Sequence, residues 1–179
     1  MLSPRKSLLA LALIAALVVF AGGALAANGG NSDNAKLCQD WPALMDSSGT
    51  QFSNEGACVS SAAHGGAVYA LASLTIEPSA NQPFDGIAVS TSGFGLAPTT
   101  FATTSLLKNG TEIKFDALVV PASGIVSSGS PFGTFEAPCV AGNVWSATAT
   151  GISADSLSTP TMPGIPVTSN TVTRTSTCP

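Results

Sequence analysis

Residues 101–115 read FATTSLLKNGTEIKF, two runs with strand-like apolar and polar alternation joined by Lys108-Asn109-Gly110. Asn-Gly between two such runs is a strong hairpin signal, because both central positions of the turn need a positive φ. The stretch therefore predicts an antiparallel hairpin with strands over 101–107 and 111–115. Asn109-Gly110-Thr111 also matches the glycosylation sequon, but the turn explains these residues and is the interpretation we favour.

Further short strands are predicted on both sides of this hairpin. Turn residues separate them at intervals of about 8–12 positions, which is typical of a β-sandwich. No long amphipathic helix follows residue 66, and residues 154–166 contain Pro160, Pro163 and Pro166, which exclude a central strand and predict a long loop. We predict a β-sandwich over 67–179, with a β-barrel as the structural alternative. The other predicted strands cover 68–76, 87–90, 118–120, 133–137, 143–152 and 167–175.

The N-terminus has the pattern of a signal peptide. Arg5 and Lys6 precede an apolar run from Leu8 to Phe20, and Ala24-Leu25-Ala26 fits the small-residue cleavage pattern. The run of 13 residues is short for a membrane span, which needs about 20 apolar residues. We therefore predict a signal peptide over 1–26, cleavage between Ala26 and Ala27, and no membrane attachment of the mature chain.

The charge of the mature chain excludes some partners. Four basic residues would remain against ten acidic ones, a net charge of −6 with His64 neutral. Scattered cations on an acidic chain give no electrostatic footprint for nucleic acid or for anionic lipid. Polarity comes instead from Ser, Thr, Asn and Gly, which suits exposed strand faces.

The four cysteines predict two disulfides, because an even count in an exported chain is typical of a disulfide framework. We predict Cys38–Cys58 and Cys139–Cys178, since each pair brackets one compositional region. A zinc site is the alternative, but the chain has no C-x-x-C spacing. Residues 27–66 are predicted to be a flexible lead-in over 27–36, followed by a small segment stapled by Cys38 and Cys58. A short helix is expected over 56–64, ended by Gly65-Gly66.

Two resemblances support this division. Cys38 and Trp41, followed by Phe52-Ser53-Asn54-Glu55-Gly56-Ala57-Cys58-Val59, resemble a motif of uncharacterised secreted bacterial proteins. That resemblance implies secretion and the first disulfide, and no activity.

The second part of the chain resembles bacterial immunoglobulin-like surface domains. Ser92-Gly93-Phe94-Gly95-Leu96-Ala97-Pro98 and Trp145-Ser146-Ala147-Thr148-Ala149-Thr150-Gly151 stand in the places of their Gly-Phe-x-x-x-Pro and aromatic-strand motifs. This resemblance implies an immunoglobulin-like β-sandwich that serves as a spacer, a stalk, an adhesion module or an enzyme accessory. Fold alone does not choose among these roles.

Catalytic residues are not expected. His64 is the only histidine, no Gly-x-Ser-x-Gly is present, and the cysteines are predicted to be oxidised. A glycosidase needs a pair of carboxylates across the scissile bond, and the candidates stand in no recognisable motif. Those candidates are Glu55, Asp85, Glu112, Asp116 and Glu136.

Metal and glycan ligands are the remaining alternatives. Calcium takes loop carboxylates, but the loop acids Asp33, Asp40, Asp46 and Asp85 form no calcium-loop motif and are interpreted as solvated surface residues. Trp41 and Trp145 would suit a sugar-stacking platform, but we expect Trp145 in the sandwich core and Trp41 against the first disulfide. No cofactor and no metal is predicted.

The sequence thus predicts a mainly β protein with an immunoglobulin-like sandwich after a small disulfide-stapled segment. We expect a secreted, non-enzymatic structural or interaction module, extracellular or loosely associated with the cell wall. Its partner is an unknown extracellular protein or glycan. A carbohydrate-binding accessory protein is the alternative.

The first testable consequence is processing. The exported protein should begin at or within a few residues of Ala27, because the small side chains at Ala24 and Ala26 fit the cleavage site. Intact-mass measurement of the culture supernatant checks this. Full-length protein retained in the membrane fraction would contradict it.

Overall fold

The computed structural model describes residues 31–79 and 84–178. The predicted signal peptide, its cleavage site between Ala26 and Ala27, and the start of the predicted lead-in lie outside these residues. Among the helices that are described, none is long and apolar enough to cross a membrane. The chain is mainly β, with a small helical segment in front of two facing antiparallel sheets.

The N-terminal segment is built on the Cys38–Cys58 disulfide. Cys38 and Cys58 are fully buried in a small cluster with Leu44, Phe52 and Val68, and the half-buried Trp41 packs against it. Its elements are helix α1 (Asn31–Lys36), a 3-10 helix (Leu37–Ala43), strand β1 (Leu44–Met45), helix α2 (Glu55–Ala63) and strand β2 (Tyr69–Ala70), which pairs with β1.

Helix α2 begins and ends for local reasons. The Asn54 side chain caps its first turn by accepting a hydrogen bond from the Ala57 N–H at 2.8 Å. His64 follows the last helical residue, and Gly65 then takes a φ of +83°, a conformation that favours glycine. The helix therefore lies one residue earlier than the predicted 56–64 and stops at the predicted glycines.

Residues 31–36 differ from the prediction of a flexible lead-in. They form α1, and Asn34 is buried with its side-chain amide paired to the backbone of Thr159. Asn34 Nδ2 donates to the Thr159 carbonyl at 3.0 Å, and the Thr159 N–H donates to Asn34 Oδ1 at 2.7 Å. The polar sequence of this segment, which follows two glycines, gives no sign of a partner 125 residues away.

Two antiparallel sheets form the sandwich. In the first sheet β3 pairs with one edge of β4, and β7 and β8 both pair with the other edge. In the second sheet the order is β6–β5–β9, and β10 and β11 both pair with the free edge of β9. The strands of the first sheet are β3 (Ser73–Pro78), β4 (Gly86–Phe94), β7 (Val126–Ser127) and β8 (Phe132–Phe135). Those of the second are β5 (Phe101–Lys108), β6 (Thr111–Val119), β9 (Val144–Ile152), β10 (Pro166–Thr168) and β11 (Val172–Thr175).

The predicted hairpin is present as strands β5 and β6. Asn109 and Gly110 both have positive φ, +49° and +81°, as the turn requires. Strand β6 continues to Val119, so the separate strands predicted over 111–115 and 118–120 are one strand. Alternation of inward and outward residues along β5 is clear, with Ala102, Thr104 and Leu106 buried.

Two predicted strands are divided in the structure. The run over 68–76 becomes β2 in the N-terminal segment and β3 in the sandwich. The run over 167–175 divides into β10 and β11, because Asn170 leaves the ladder and its side chain pairs with both backbone groups of Ile76 at 2.9 Å. The continuous apolar run over 68–76 and the Val and Thr residues over 167–175 conceal these interruptions in the sequence.

The core lies between the two sheets. Trp145 at its centre is fully buried and packs with Ile76, Ile87 and Val89 of the first sheet and with Leu106 of its own. A second cluster, around Leu74 and Leu96, fills the other end of the sandwich. The predicted core position of Trp145 is therefore observed.

The second disulfide closes one end of the sandwich. Cys139 precedes β9 and Cys178 follows β11, and their Cα atoms are 5.9 Å apart, which is the pairing that the sequence predicts. At the opposite end the proline-rich loop packs on the N-terminal segment. There the Leu157 N–H donates to the Val68 carbonyl at 2.7 Å, and the Val68 N–H donates to Ser158 Oγ at 2.6 Å.

Removal of the second disulfide should destabilise the sandwich. The bridge joins residues 39 apart in sequence, so Cys178→Ser should lower the free energy of unfolding by about 3–4 kcal/mol on the loop-entropy estimate. Denaturant unfolding measures the loss, and Thr177→Ser is the matched control. Peptide mapping should show Cys139 as a free thiol and Cys38–Cys58 intact. Fragments that link Cys58 to Cys139 would contradict the pairing.

Candidate functional site

Asp85 is the one acidic residue that is buried among those described, and it lies at the disulfide end of the sandwich. Its Oδ1 accepts hydrogen bonds from Trp145 Nε1 at 2.7 Å and from Ser176 Oγ at 2.6 Å. Its Oδ2 accepts from the Val140 N–H at 2.9 Å and from Asn143 Nδ2 at 3.1 Å. The carboxylate thus joins the start of β4, the start of β9 and the segment after β11.

The network continues into the hairpin turn. Asn143 Oδ1 accepts a hydrogen bond from Asn109 Nδ2 at 3.1 Å, and Asn109 Oδ1 accepts from the Val144 N–H at 2.8 Å. Asn109 therefore has two roles, since its backbone makes the turn and its side chain secures the turn to β9. This arrangement supports the interpretation of Asn109 as a turn residue.

The surroundings of Asp85 favour its ionised form. The hydrogen bond from Ser176 is the largest influence and holds the pKa of Asp85 well below its ordinary value, while burial acts in the opposite direction. The Val140 N–H, Trp145 and Asn143 add to the lowering of this pKa. Both oxygens of this carboxylate are occupied by protein donors, so the geometry assigns Asp85 to holding the fold.

An apolar cleft lies directly outside this network. Phe84 and Phe135 are 68% and 69% exposed, and with Ala137 and Cys139 they line a space of about 340 Å³. Such a volume falls within the range of small-ligand pockets. We call it the Phe84–Phe135 cleft.

The position of Phe135 is fixed by a close approach of two strands. Phe135 pairs with Gly86 across β8 and β4, and a Cβ at Gly86 would lie 2.2 Å from the Thr134 carbonyl oxygen. A Cβ at Gly133 would likewise lie 2.5 Å from the Ala88 Cβ. Glycine at both positions lets β8 lie against β4, so the exposed ring stands on a rigid base.

One ion pair borders the cleft. Lys108 Nζ binds the Glu136 carboxylate and lies 5.5 Å from the centre of the Trp145 ring. Lys108 thus connects the last residue of β5 with the segment between β8 and Cys139. The carboxylate of Glu136 is therefore engaged in an ion pair with Lys108.

The carboxylates considered for glycoside hydrolysis do not form a free pair. Asp85 and Glu136 both line the Phe84–Phe135 cleft, but each carboxylate is bound by protein donors. Glu55 starts α2, Glu112 and Asp116 lie on β6, Glu136 is paired with Lys108, and Asp85 is buried. The interpretation of Asp85 as a solvated loop acid is wrong, because its loop packs beneath β9. The sequence gives little indication that Asp85 is buried. A single Asp between Phe84 and Gly86 is unremarkable until Trp145 Nε1 is known to donate to it.

The loop acids considered for calcium do not converge. Asp33 pairs with Lys36 at 2.6 Å, and Asp46 Oδ1 accepts from the Ser48 and Thr50 N–H groups, which closes a local turn. Asp40 is exposed in the 3-10 helix. Within residues 31–79 and 84–178, no group of three or more His, Cys, Asp or Glu side chains is placed to hold a metal ion.

The remaining candidates have structural surroundings. Trp145 is fully buried, so it presents no face for sugar stacking, and Trp41 is half-buried against the cluster around the first disulfide. His64 is exposed at the end of α2, where its Nδ1 lies 2.6 Å from the Ser60 carbonyl oxygen.

The outer face of the second sheet carries a row of hydroxyls that sequence reasoning missed. Thr103 and Thr150 are directly opposite across β5 and β9, with their hydroxyls 2.9 Å apart, and Thr148 and Thr171 pair similarly at 3.1 Å. The exposed Phe101 stands at the end of β5 beside this row. The sequence shows the alternation of apolar and polar residues along β5 and β9. It does not show the register between the two strands, which places these hydroxyls side by side.

Comparisons with known proteins add no assignment. No protein family matches the chain, and neither a curated protein nor a solved structure is significantly similar to it.

The Asp85 network predicts a specific acid sensitivity. Because the folded-state pKa of Asp85 is lowered, its stabilising effect is present above the unfolded-state pKa of about 3.9 and is lost as the pH falls below it. Asp85→Asn should lower the melting temperature at pH 7 and flatten the decline of stability below about pH 4.

Thermal unfolding between pH 2 and pH 7 measures both effects. Asp40→Asn, an exposed residue of the same type, is the control and should leave both features unchanged. An Asp85→Asn variant with the parent's melting temperature and the parent's acid transition would show that the network is unimportant.

Proposed function

We propose that this protein is a secreted, non-enzymatic structural or interaction module that works outside the cell or at its surface. Two disulfides support an oxidising compartment, where such bonds persist. The proposal also rests on the signal-peptide pattern over 1–26 and on the scarcity of charge in the chain.

We further propose that the sandwich is of the immunoglobulin-like type. Its first sheet places β3, β4 and the β7/β8 pair side by side, and its second places β6, β5, β9 and the β10/β11 pair side by side. If each of these strand pairs is counted as one position, a three-stranded sheet faces a four-stranded sheet, and a buried Trp lies between them. Immunoglobulin-like sandwiches have this arrangement.

One observation carries the interaction role. Among the described residues, the two most exposed phenylalanines are Phe84 and Phe135, and both face the same cleft. A disulfide, two closely packed glycines and a buried carboxylate hold the backbone beneath them. Exposed apolar surface on a rigid frame marks an interaction site, and each ring would bury area worth about 25 cal/mol per Å². The partner we propose is an extracellular protein with an apolar side chain that enters the cleft.

A glycan is the second candidate partner, and a different observation favours it. The hydroxyl row of Thr103, Thr148, Thr150 and Thr171 offers donors and acceptors without charge, and Phe101 stands beside it. Neutral hydroxyls with an adjacent aromatic ring suit the mixed polar and apolar faces of a sugar chain. The two candidates occupy different surfaces and are therefore separable.

Site-specific photocrosslinking tests the cleft. A benzoylphenylalanine placed at position 135 should give an adduct of defined mass on the secreting cells, because this ring faces the proposed partner. The same probe at position 94, where the native Phe is 46% exposed at the end of β4, is the matched control and should give none.

The absence of any adduct at 135, or equal adducts at both positions, would contradict the cleft. On arrayed glycans, binding that is lost in Thr150→Val and kept in Phe135→Ser would support the hydroxyl row instead. Turnover of broad hydrolase substrates by the purified protein would contradict the non-enzymatic proposal.

A further inference from the structure

Strand β6 is a long, exposed edge of the second sheet. It pairs with β5 on one side, and its nine residues are all exposed or half-buried. Phe115 is 66% exposed and Val119 is 63% exposed. An edge of this kind presents backbone groups to a further strand, and natural proteins usually protect such edges.

We propose that β6 pairs antiparallel with β6 of a second copy, with Phe115 on the two-fold axis between them. Residues 114–116 read Lys-Phe-Asp, so this register places Lys114 of each chain opposite Asp116 of the other. Symmetry doubles every contact that lies off the axis of such an interface. The proposal is independent of the partner suggested for the Phe84–Phe135 cleft.

Charge distinguishes this register from its neighbours. Centring the pair on Lys114 opposes two lysines and also opposes Glu112 to Asp116, and centring it on Asp116 opposes two aspartates. Centring it on Ala117 leaves Lys114 and Asp116 opposite apolar residues. Centring it on Ile113 also opposes unlike charges, Lys114 to Glu112, but it puts the unpaired bulge residue on the two-fold axis. Opposite charges across strands are favourable and like charges directly opposite are unfavourable, so the Phe115-centred register is the one that combines opposed charges with a regular centre.

Both charged groups have bonding capacity left for this contact. Lys114 Nζ donates to the Gly133 carbonyl at 2.9 Å and lies 4.8 Å from the centre of the Phe132 ring, which leaves further N–H donors. Asp116 Oδ1 accepts from the Ala117 N–H at 2.9 Å, a donor on the free edge of β6, so in the dimer this N–H stays with Asp116 or exchanges to the second copy. The second oxygen of Asp116 remains for Lys114. Lys114 and Asp116 stand opposite the buried Leu106 and Thr104 in the ladder, so they share the inner side of β6.

The outer side of β6 supplies apolar surface. Phe115, Ala117 and Val119 stand opposite Ser105, Thr103 and Phe101, which share the outer face of β5. A two-fold axis at Phe115 brings the two rings together, and an aromatic pair across strands contributes beyond its buried area. A bulge at Ile113 bends the strand before Lys114, which leaves the Lys-Phe-Asp centre regular.

A charge exchange tests the pairing in the secreted protein. Sedimentation velocity over a range of concentrations should show a monomer–dimer equilibrium. Lys114→Asp opposes two carboxylates across each half of the interface and should weaken the dimer at least about tenfold. Adding Asp116→Lys to that variant restores opposite charges and should recover most of the affinity. Circular dichroism and melting temperature establish that each variant is folded.

Disulfide trapping tests the register. Directly opposite residues of antiparallel strands have Cα atoms about 4.5–5.5 Å apart, within the range for a disulfide, so Phe115→Cys should give a covalent dimer on mild oxidation. The control Ala117→Cys places its two thiols about 13 Å apart along the strands and should not.

Three outcomes would overturn the proposal. These are a monomer at all concentrations, a double variant that dimerises no better than Lys114→Asp, and faster trapping through Ala117→Cys than through Phe115→Cys.

Discussion

The Asp85 carboxylate is the interaction on which the sandwich most depends. It is buried, and it accepts hydrogen bonds from Val140, Asn143 and Trp145 around the start of β9 and from Ser176 after β11. With Asp85 itself before β4, the network joins three separate parts of the chain. Leaving any of these donors unpaired in the interior would be costly, because a buried polar group without a partner loses its solvation. The strand ends at this side of the molecule are therefore set by one carboxylate, and the cleft between Phe84 and Phe135 takes its shape from them.

The opposite end of the sandwich is organised by a loop instead of a charge. Residues 154–166 connect β9 to β10 and bind the N-terminal segment through backbone and serine contacts at Val68 and through the Asn34–Thr159 pair. Tyr69 adds a hydrogen bond to the Pro163 carbonyl at 3.1 Å. The two units that the sequence separates at residue 66 are thus in contact, and the long loop has a structural role that explains its length.

Much of the fold was predictable because its signals are local. Asn109-Gly110 demands a specific backbone conformation, and the alternation along β5 and β9 fixes which side chains face the core. The Cys139–Cys178 pairing follows from the antiparallel arrangement of the last strands. The Asp85 network, the Asn34–Thr159 pair and the aligned threonines were not predictable, since each needs a register or a partner dozens of residues away. Sequence composition distinguishes a surface Asp from a buried one poorly, because burial is decided by the donors that surround it.

The Cys139–Cys178 bond also determines how the molecule would carry a mechanical load. Residues 140–177 lie inside one covalent ring that contains β9, β10, β11 and the proline-rich loop. Tension applied at Cys178 therefore passes directly to Cys139 and then to the segment behind β8, and it cannot peel β11 from the sheet. About a fifth of the chain is inextensible while the bond lasts. A reductant would open the ring and allow residues 140–177 to extend. The length of the fully stretched protein therefore depends on the redox state of its surroundings.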